Sequence, residues 1–419
     1  MATIKTNTSR SRMVWVAWFC LVTLTLALAP AGYAKKDKKK GKTPETKPQS
    51  GQIDRSKIDT SKLVWPQPPD LPRIKFLSES FGEAPKAVAT GKTKKKKQGW
   101  MDRMAGVRPD ADAGPGERRH VLSQPYGVVV DSKGRVYVAD TYVDAVFIFN
   151  LETKQVSLIR NGFEGQFKSI IGLAIDDTDR LFVADAGFHQ VSVFGANGKQ
   201  EAVFGEDQLG RPTGIAIDTE NRFVYVVDTE KEQIAVFDAD NFKFLRTLGG
   251  PAKREGDEDP GTFAKPTNAT VDEDGNLYVT DTLNNRVQIF DADGKFISMF
   301  GKQGDAPGTF QRPKGIAIDS DGHIWVVDAA QDNVQIYDKE GHLLAYFGYG
   351  GTYPGQFALP AGIFIDKLNR VIVSDQLKGR IQIFRYITEA ENAAAKAEVN
   401  KPRGAAVSTT QTAEAAEKK

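Results

Sequence analysis

Apolar residues in this chain fall in short alternating runs, and the same succession of runs recurs along its length. A unit begins with an apolar run such as "GIAID" at Gly315 and a turn such as "SDGH". A second apolar run ending in aspartate follows, then a polar loop, an alternating run such as "RVQIF", a turn such as "DADGK" and a last run such as "FISMFG". Period-two alternation predicts β-strands, because successive side chains on a strand point to opposite faces. The Asp-Gly and Asn-Gly turns predict hairpins, since these residues tolerate the positive φ that tight turns demand.

Aligning the units on the second run gives "VYVADT", "LFVADA", "VYVVDT", "LYVTDT", "IWVVDA" and "VIVSDQ". Their aspartates are Asp140, Asp185, Asp228, Asp281, Asp328 and Asp375, at spacings of 45, 43, 53, 47 and 47 residues. The long interval holds an insertion, "GGPAKREGDEDPG". Four strands repeated in about 45 residues predict the blades of an all-β, six-bladed propeller. A solenoid competes, but hexapeptide and leucine-rich periods are much shorter. The innermost strands start near Gly127, Gly172, Gly214, Asn268, Gly315 and Gly362. The sixth unit stops at "RIQIFRY" without an outer strand, while "RIKFLSESFG", Arg73–Gly82, resembles "GKFISMFG". This early segment is expected to supply the missing strand, close the ring and cover an otherwise exposed sheet edge.

The N-terminal segment leads to the expectation that the repeat lies outside the cytoplasm. Lys5, Arg10 and Arg12 precede an uncharged run from Met13, and "AGYA" offers small residues for cleavage after Ala34, as in an export signal. The alternative is an uncleaved inner-membrane anchor, since Met13 to Ala34 is about long enough to span a bilayer. The one cysteine, Cys20, lies in that run, so a mature chain has no disulfide, thiol nucleophile or thiolate metal site. The net charge of +2 divides into +14 over residues 1–120 and −12 over 121–386. The basic excess lies in "KKDKKKGK" and "KTKKKK", read as solvated tether or as a contact for an anionic surface. An acidic body makes nucleic acid a poor partner. The expected organisation is signal peptide 1–34, Lys/Pro-rich disordered linker 35–65, closing segment 66–82, basic insertion 83–120 with a short helix in "QGWMDRMAGVRPD", propeller 121–387 and disordered tail 388–419.

The stretch "DTLNNRVQIF", Asp281–Phe290, resembles the hallmark loop of the NHL-repeat family of six-bladed propellers, here in a bacterial, exported form. The resemblance covers about residues 124–386 and is strongest in units four to six. Each recurring aspartate is expected to cap its strand by accepting loop N–H groups, and Arg286 to reach toward the neighbouring blade, as Arg380 would by position. In a relative, the peptide alpha-amidating lyase, zinc-binding histidines stand in Pro-His-Gly sequences before the inner strands. The corresponding residues here are Tyr126, Ile171, Thr213, Thr267, Lys314 and Ala361, none of them the neutral imidazole such a zinc needs. Calcium-dependent lactonase-type relatives use acids and amides around the channel, of which Asn268 alone is present at these positions. His189 is the only histidine expected on that face. The binding-face candidates are therefore Tyr126, Thr213, Thr267, Asn268, Lys314, His189, Arg286 and Arg380. The loops "PAKREGDEDPG" and "YGGTYPGQF" are either surface variation or partner contacts.

The expectation is a monomeric, periplasmic, non-enzymatic scaffold that needs no cofactor or metal. Its loop face would meet a protein, peptide or glycan of the cell envelope. The competing expectation is a metal-dependent lyase or lactonase-like hydrolase with its site in the central channel.

Overall fold

A computed structural model describes Arg55 and residues 58–83, 120–160, 167–252 and 259–399. The signal segment, both lysine blocks and the helix expected in "QGWMDRMAGVRPD" lie outside the described residues, as do 253–258 of the charged insertion. No helix among the described residues is long and apolar enough to cross a membrane.

Six antiparallel sheets form the blades. Their inner strands are Pro125–Val130, Ile170–Ile175, Pro212–Asp218, Pro266–Val271, Pro313–Ile318 and Pro360–Ile365, numbered here as blades I to VI. Blades I to V are four-stranded and each is continuous in sequence. Blade VI takes its fourth strand from Ile74–Ser80, which runs antiparallel to Arg380–Tyr386 with Ile74 opposite Tyr386 and Phe76 opposite Phe384. The closure expected from Arg73–Gly82 is thus the observed one.

Two departures extend it. Val64–Trp65, assigned above to the linker, add a fifth strand outside Ile74–Ser80. Trp65 packs on Phe347 and Phe384 at 5.6 and 6.0 Å, so the apolar "LVW" run has an interface to fill. Residues 389–399, assigned to the tail, form helix α1 (Glu389–Val399). Its alanines and glutamates favour helix, and the Asp321 carboxylate accepts the Glu389 N–H at 2.9 Å.

Six apolar clusters fill the spaces between adjacent sheets, one for each neighbouring pair. Ile74 and Phe76 of the closing strand enter the blade V–VI cluster with Trp325, Phe347 and Phe384. A second device recurs in the loops that enter the inner strands. Phe167, Phe263, Phe310 and Phe357 of "GQF", "GTF", "GTF" and "GQF" are buried there. Gln288, Gln335 and Gln382, all fully buried, pin three of these loops. Each accepts a glycine N–H (Gly261, Gly308, Gly355) and donates to a carbonyl in the same loop. The glutamine of "RVQIF" is therefore a loop anchor, and "YGGTYPGQF" is one copy of a repeated loop rather than an exception.

Candidate functional site

The recurring aspartates face the loops that enter the inner strands. In blades I, II, III and V each carboxylate accepts two N–H groups from the loop 16–18 residues upstream and two from the turn that follows. Asp140, for example, accepts from Ser123, Gln124, Tyr142 and Val143. Asp228 does the same with Gly210, Arg211, Glu230 and Lys231. In blades IV and VI an arginine replaces part of that clamp, with Arg286 Nε 2.9 Å from Asp281 and Arg380 Nε 2.8 Å from Asp375. All six acids are fully buried and consumed by structure.

Arg286 and Arg380 are consequently not on a binding face. Arg286 is buried and donates to the Thr262 carbonyl at 2.9 Å. Arg380 has no exposed surface. It donates to Glu79 of the closing strand at 2.6 Å and to the carbonyls of Thr352, Tyr353 and Gln356. Arg55 joins the same knot through Glu79 and the Thr352 carbonyl.

His189 also belongs to a structural series. Four residues after each recurring aspartate stands Asp144, His189, Glu232, Asn285, Asp332 or Gly379, each with φ between 49 and 57°. Asp, Asn and Gly tolerate this left-handed region best. Several of these side chains reach the next blade. His189 Nδ1 meets the Gly210 carbonyl, Asn285 donates to the Gln311 carbonyl at 2.9 Å, and Asp332 accepts the Leu359 N–H at 2.7 Å. The run Asp/His/Glu/Asn/Asp/Gly at one repeat position was the available sequence signal for this stitch.

The inner strands crowd at the channel mouth, which sets what each ring position can do. A Cβ on Gly172 would lie 1.9 Å from the Thr213 carbonyl oxygen, and one on Gly362 would lie 2.2 Å from that of Tyr126. Glycine is required there. Blade IV alone carries a side chain at this place, Asn268, and Thr280 spans the gap to blade V by donating to the Lys314 carbonyl at 2.7 Å. The hydroxyls of Thr213 and Thr267 are spent on Thr229 and on Thr280 and Thr282. Tyr126, Asn268 and Lys314 are the three sequence candidates that remain together at the mouth.

Lys314 Nζ lies 5.1 Å over the Tyr126 ring and 3.3 Å from Gln376 Oε1. Burial, reinforced by the charge of Arg312, lowers its pKa to about 8. Burial pushes the Tyr126 phenol up to about 12, opposed by the adjacent Asn268 amide and the charges of Arg211 and Arg312. Asn268 Nδ2 is buried without a hydrogen-bond partner. Tyr126 also packs with Ile171, Ala186 and Ala361, so one side of the mouth is apolar. Arg211 and Arg312, in "RPTGI" and "RPKGI", are exposed, and neither has an ion-pair partner among the described residues. Sequence reasoning fixed on the residue before each inner-strand glycine and passed over these arginines two places upstream. Below the mouth runs a channel of about 270 Å³ lined by the six inner strands, mainly by Val, Leu, Ile and Ala.

A family model described as an NHL repeat matches residues 122–149, and one described as a 6-bladed beta-propeller matches 269–345. This is a six-bladed propeller whose first blade matches the NHL repeat. NHL repeat-containing protein 2 from Gallus gallus is 31% identical over 97 residues, which are 22% of this NHL propeller's chain and 13% of that protein. A probable peptidyl-alpha-hydroxyglycine alpha-amidating lyase from Caenorhabditis elegans is 32% identical over 96 residues, 23% of this chain and 27% of the relative. The chain therefore spans under a third of the length of either relative. A solved structure titled an auxiliary nutrient binding protein, from Bacteroides thetaiotaomicron, superposes with a TM-score of 0.50 at 12% identity, covering 63% of this chain and 69% of that one. That likeness shows the fold alone.

The donor set at the mouth of this NHL propeller does not fit zinc or calcium. The six ring positions offer a phenol, two committed hydroxyls and an ammonium, with no imidazole or carboxylate, whereas zinc takes imidazole or thiolate and calcium takes several oxygens. One group of metal-type side chains occurs among the described residues, Asp338, Glu340 and His342. It lies in the turn between the third and outer strands of blade V, away from the mouth, and His342 Nδ1 is already 3.0 Å from Asp338.

Proposed function

We propose that this NHL propeller is an exported, non-enzymatic binding scaffold whose ligand face is the mouth bearing Tyr126, Asn268 and Lys314. One observation carries the reading. Nearly every polar side chain of the repeat on this face is consumed in holding loops and blades together, and what is left over are hydrogen-bond donors around a shallow, half-apolar concavity. Such a surface can recognise a ligand, and its one group that titrates near neutral pH, Lys314, stands beside no imidazole, carboxylate or metal-ligand set among the described residues with which to transform one. The partner class is a protein, peptide or glycan of the envelope, with the basic segment before residue 120 serving as tether or surface contact. The likeness to an alpha-amidating lyase over 96 residues does not extend to the histidines that chemistry would use.

The test is in-cell crosslinking and mass spectrometry of purified complexes, comparing the native protein with Tyr126→Ala/Lys314→Met. His342→Ala on the opposite face is the control. Loss of one crosslinked partner in the double variant and its retention in the control is the expected result. Equal capture by all three would remove this face from consideration.

A further inference from the structure

The cations of this molecule are distributed in a telling way. Its folded body is acidic, with 38 acidic against 26 basic residues over 121–386, and most arginines elsewhere among the described residues find carboxylates, Arg246 with its Ala292 carbonyl contact and Arg160 apart. Arg135 pairs with Asp131, Arg180 with Asp176, Arg222 with Asp240 and Arg370 with Asp366, all at 2.6–2.7 Å. Arg286 and Arg380 pair with the recurring aspartates. At the channel mouth this pattern breaks. Arg211, Arg312 and Lys314 have no carboxylate partner among the described residues; Arg312 stands near enough to act on Lys314, and both arginines near enough to act on Tyr126.

Asn268 sharpens the point. At the place one residue further along, five of the six inner strands have glycine because the next strand leaves no room; in blade IV the fold tolerates a side chain, and its buried Nδ2 lacks an acceptor. Leaving a buried donor unpaired is destabilising, and nothing in the repeat requires it, since glycine serves in the other blades. Tyr126 adds a hydroxyl that stays protonated at neutral pH. The mouth therefore gathers donors with neutral neighbours and, among the described residues, no carboxylate to match them, beside the apolar wall of Tyr126, Ile171 and Ala361.

We propose that the channel mouth is an oxyanion pocket, seated on Asn268 and Tyr126 and flanked by Lys314, Arg211 and Arg312, that takes a carboxylate attached to an apolar body. The inference rests on the face assignment above and adds the chemical class of its ligand. Charge-assisted hydrogen bonds from ammonium and guanidinium groups are about twice as strong as neutral ones, and Arg presents a fork matched to a carboxylate. The apolar wall sets the other half of the specificity, as in small-molecule sites generally. The carboxylate could arrive on a free organic acid or at the C-terminus of a peptide.

The experiment is titration calorimetry of the full chain with phenylacetate, acetate, phenylacetamide, and a tripeptide ending in phenylalanine with a free or an amidated C-terminus. Phenylacetate is expected to bind more tightly than acetate, and phenylacetamide to give no heat. Preference for the free-ended tripeptide over phenylacetate assigns the peptide source, and the reverse order assigns the free acid. Arg312→Ala and Lys314→Met should each weaken phenylacetate about tenfold, equivalent to ~1.4 kcal/mol. Asn268→Gly, which restores the residue of the other blades, should weaken it without lowering the melting temperature. Equal binding of amide and acid, or unchanged affinity in all three variants, would overturn the pocket. If those variants lose the crosslinked partner yet carboxylates give no heat, the oxyanion assignment fails and the face survives. If carboxylates bind as expected but no partner is lost, the face assignment fails.

Discussion

The two ends of the channel use the same chemistry in opposite balance. At the end away from the loop face, every turn between the first and second strands carries an aspartate: Asp131, Asp176, Asp218, Asp272, Asp319 and Asp366. Each is satisfied locally. Asp319, for instance, accepts from the Asp321 and His323 N–H groups, His323 Nδ1 and Trp325 Nε1. Asp272 accepts from Tyr278 and Asn276 in the same way. At the loop face the six recurring aspartates are equally consumed, but Arg211, Arg312 and Lys314 meet no carboxylate among the described residues and the Asn268 Nδ2 has no partner. The acid-rich end is therefore structure, although acids attract attention as catalysts or metal ligands. The cation-bearing end is where interaction capacity is left over. What separates a structural charge from a functional one is whether its partner is already inside the protein.

The sharpest way to break this comparison is to attack the closure beside it. Deleting Arg73–Gly82 removes Ile74 and Phe76 from the blade V–VI core, about 3–6 kcal/mol of apolar burial at roughly 1.5–3 kcal/mol per side chain. Thermal unfolding should shift sharply downward, and a melting curve like that of the intact chain would contradict the closure. Arg380→Ala comes next. It strands the buried Asp375 carboxylate and leaves the part-buried Glu79 to Arg55 alone, and breaking a buried pair costs about 3–5 kcal/mol. By contrast Arg312→Ala should change stability by no more than ~0.5 kcal/mol, as for a surface side chain without structural partners. Denaturant melts of this pair measure the spent and unspent cations directly; equal losses would erase the distinction.

Two pH effects complete the series. Phenylacetate binding should weaken as the pH rises through about 8, because there Lys314 loses its proton. Of the groups around it, Arg312 stays charged, Gln376 is neutral and Tyr126 keeps its proton to about 12. The fall should be absent in Lys314→Met. The smallest effect lies at the other end. Hydrogen bonding to Asp319 raises the His323 pKa against the opposing effect of burial. A raised folded pKa means the contribution is full below the unfolded value of about 6.5 and is lost as the pH rises through the folded one. Denaturant midpoints should therefore decline slightly over that window, and His323→Gln should flatten the decline.

The fold was readable because each blade repeats a period-two pattern whose turns are fixed by local chemistry. Even the displaced strand showed itself, since Arg73–Gly82 carries the same alternation as an outer strand. Val64–Trp65 was not readable: two residues have no period, and what orders them is Trp65 meeting Phe347 and Phe384, a contact far away in sequence. The site was half legible. Tyr126, Asn268 and Lys314 could be placed at the mouth by counting from the inner-strand glycines. Thr213, Thr267, His189, Arg286 and Arg380 could be placed near it but not recognised as spent, because their partners lie on other loops or blades. The arginines of "RPTGI" and "RPKGI" were visible as letters, but that they lack carboxylates is a fact of three dimensions.

The opposition of Ile74 to Tyr386 also has a consequence in time. The strand that belongs to the last blade is made before the first, and its seat does not exist until residue 386 has followed it. During synthesis five blades can stack in order while the opening segment waits without a sheet to join. The circle is completed in one late event that brings the two ends of the propeller sequence together, and any chain cut short of that point is left permanently open.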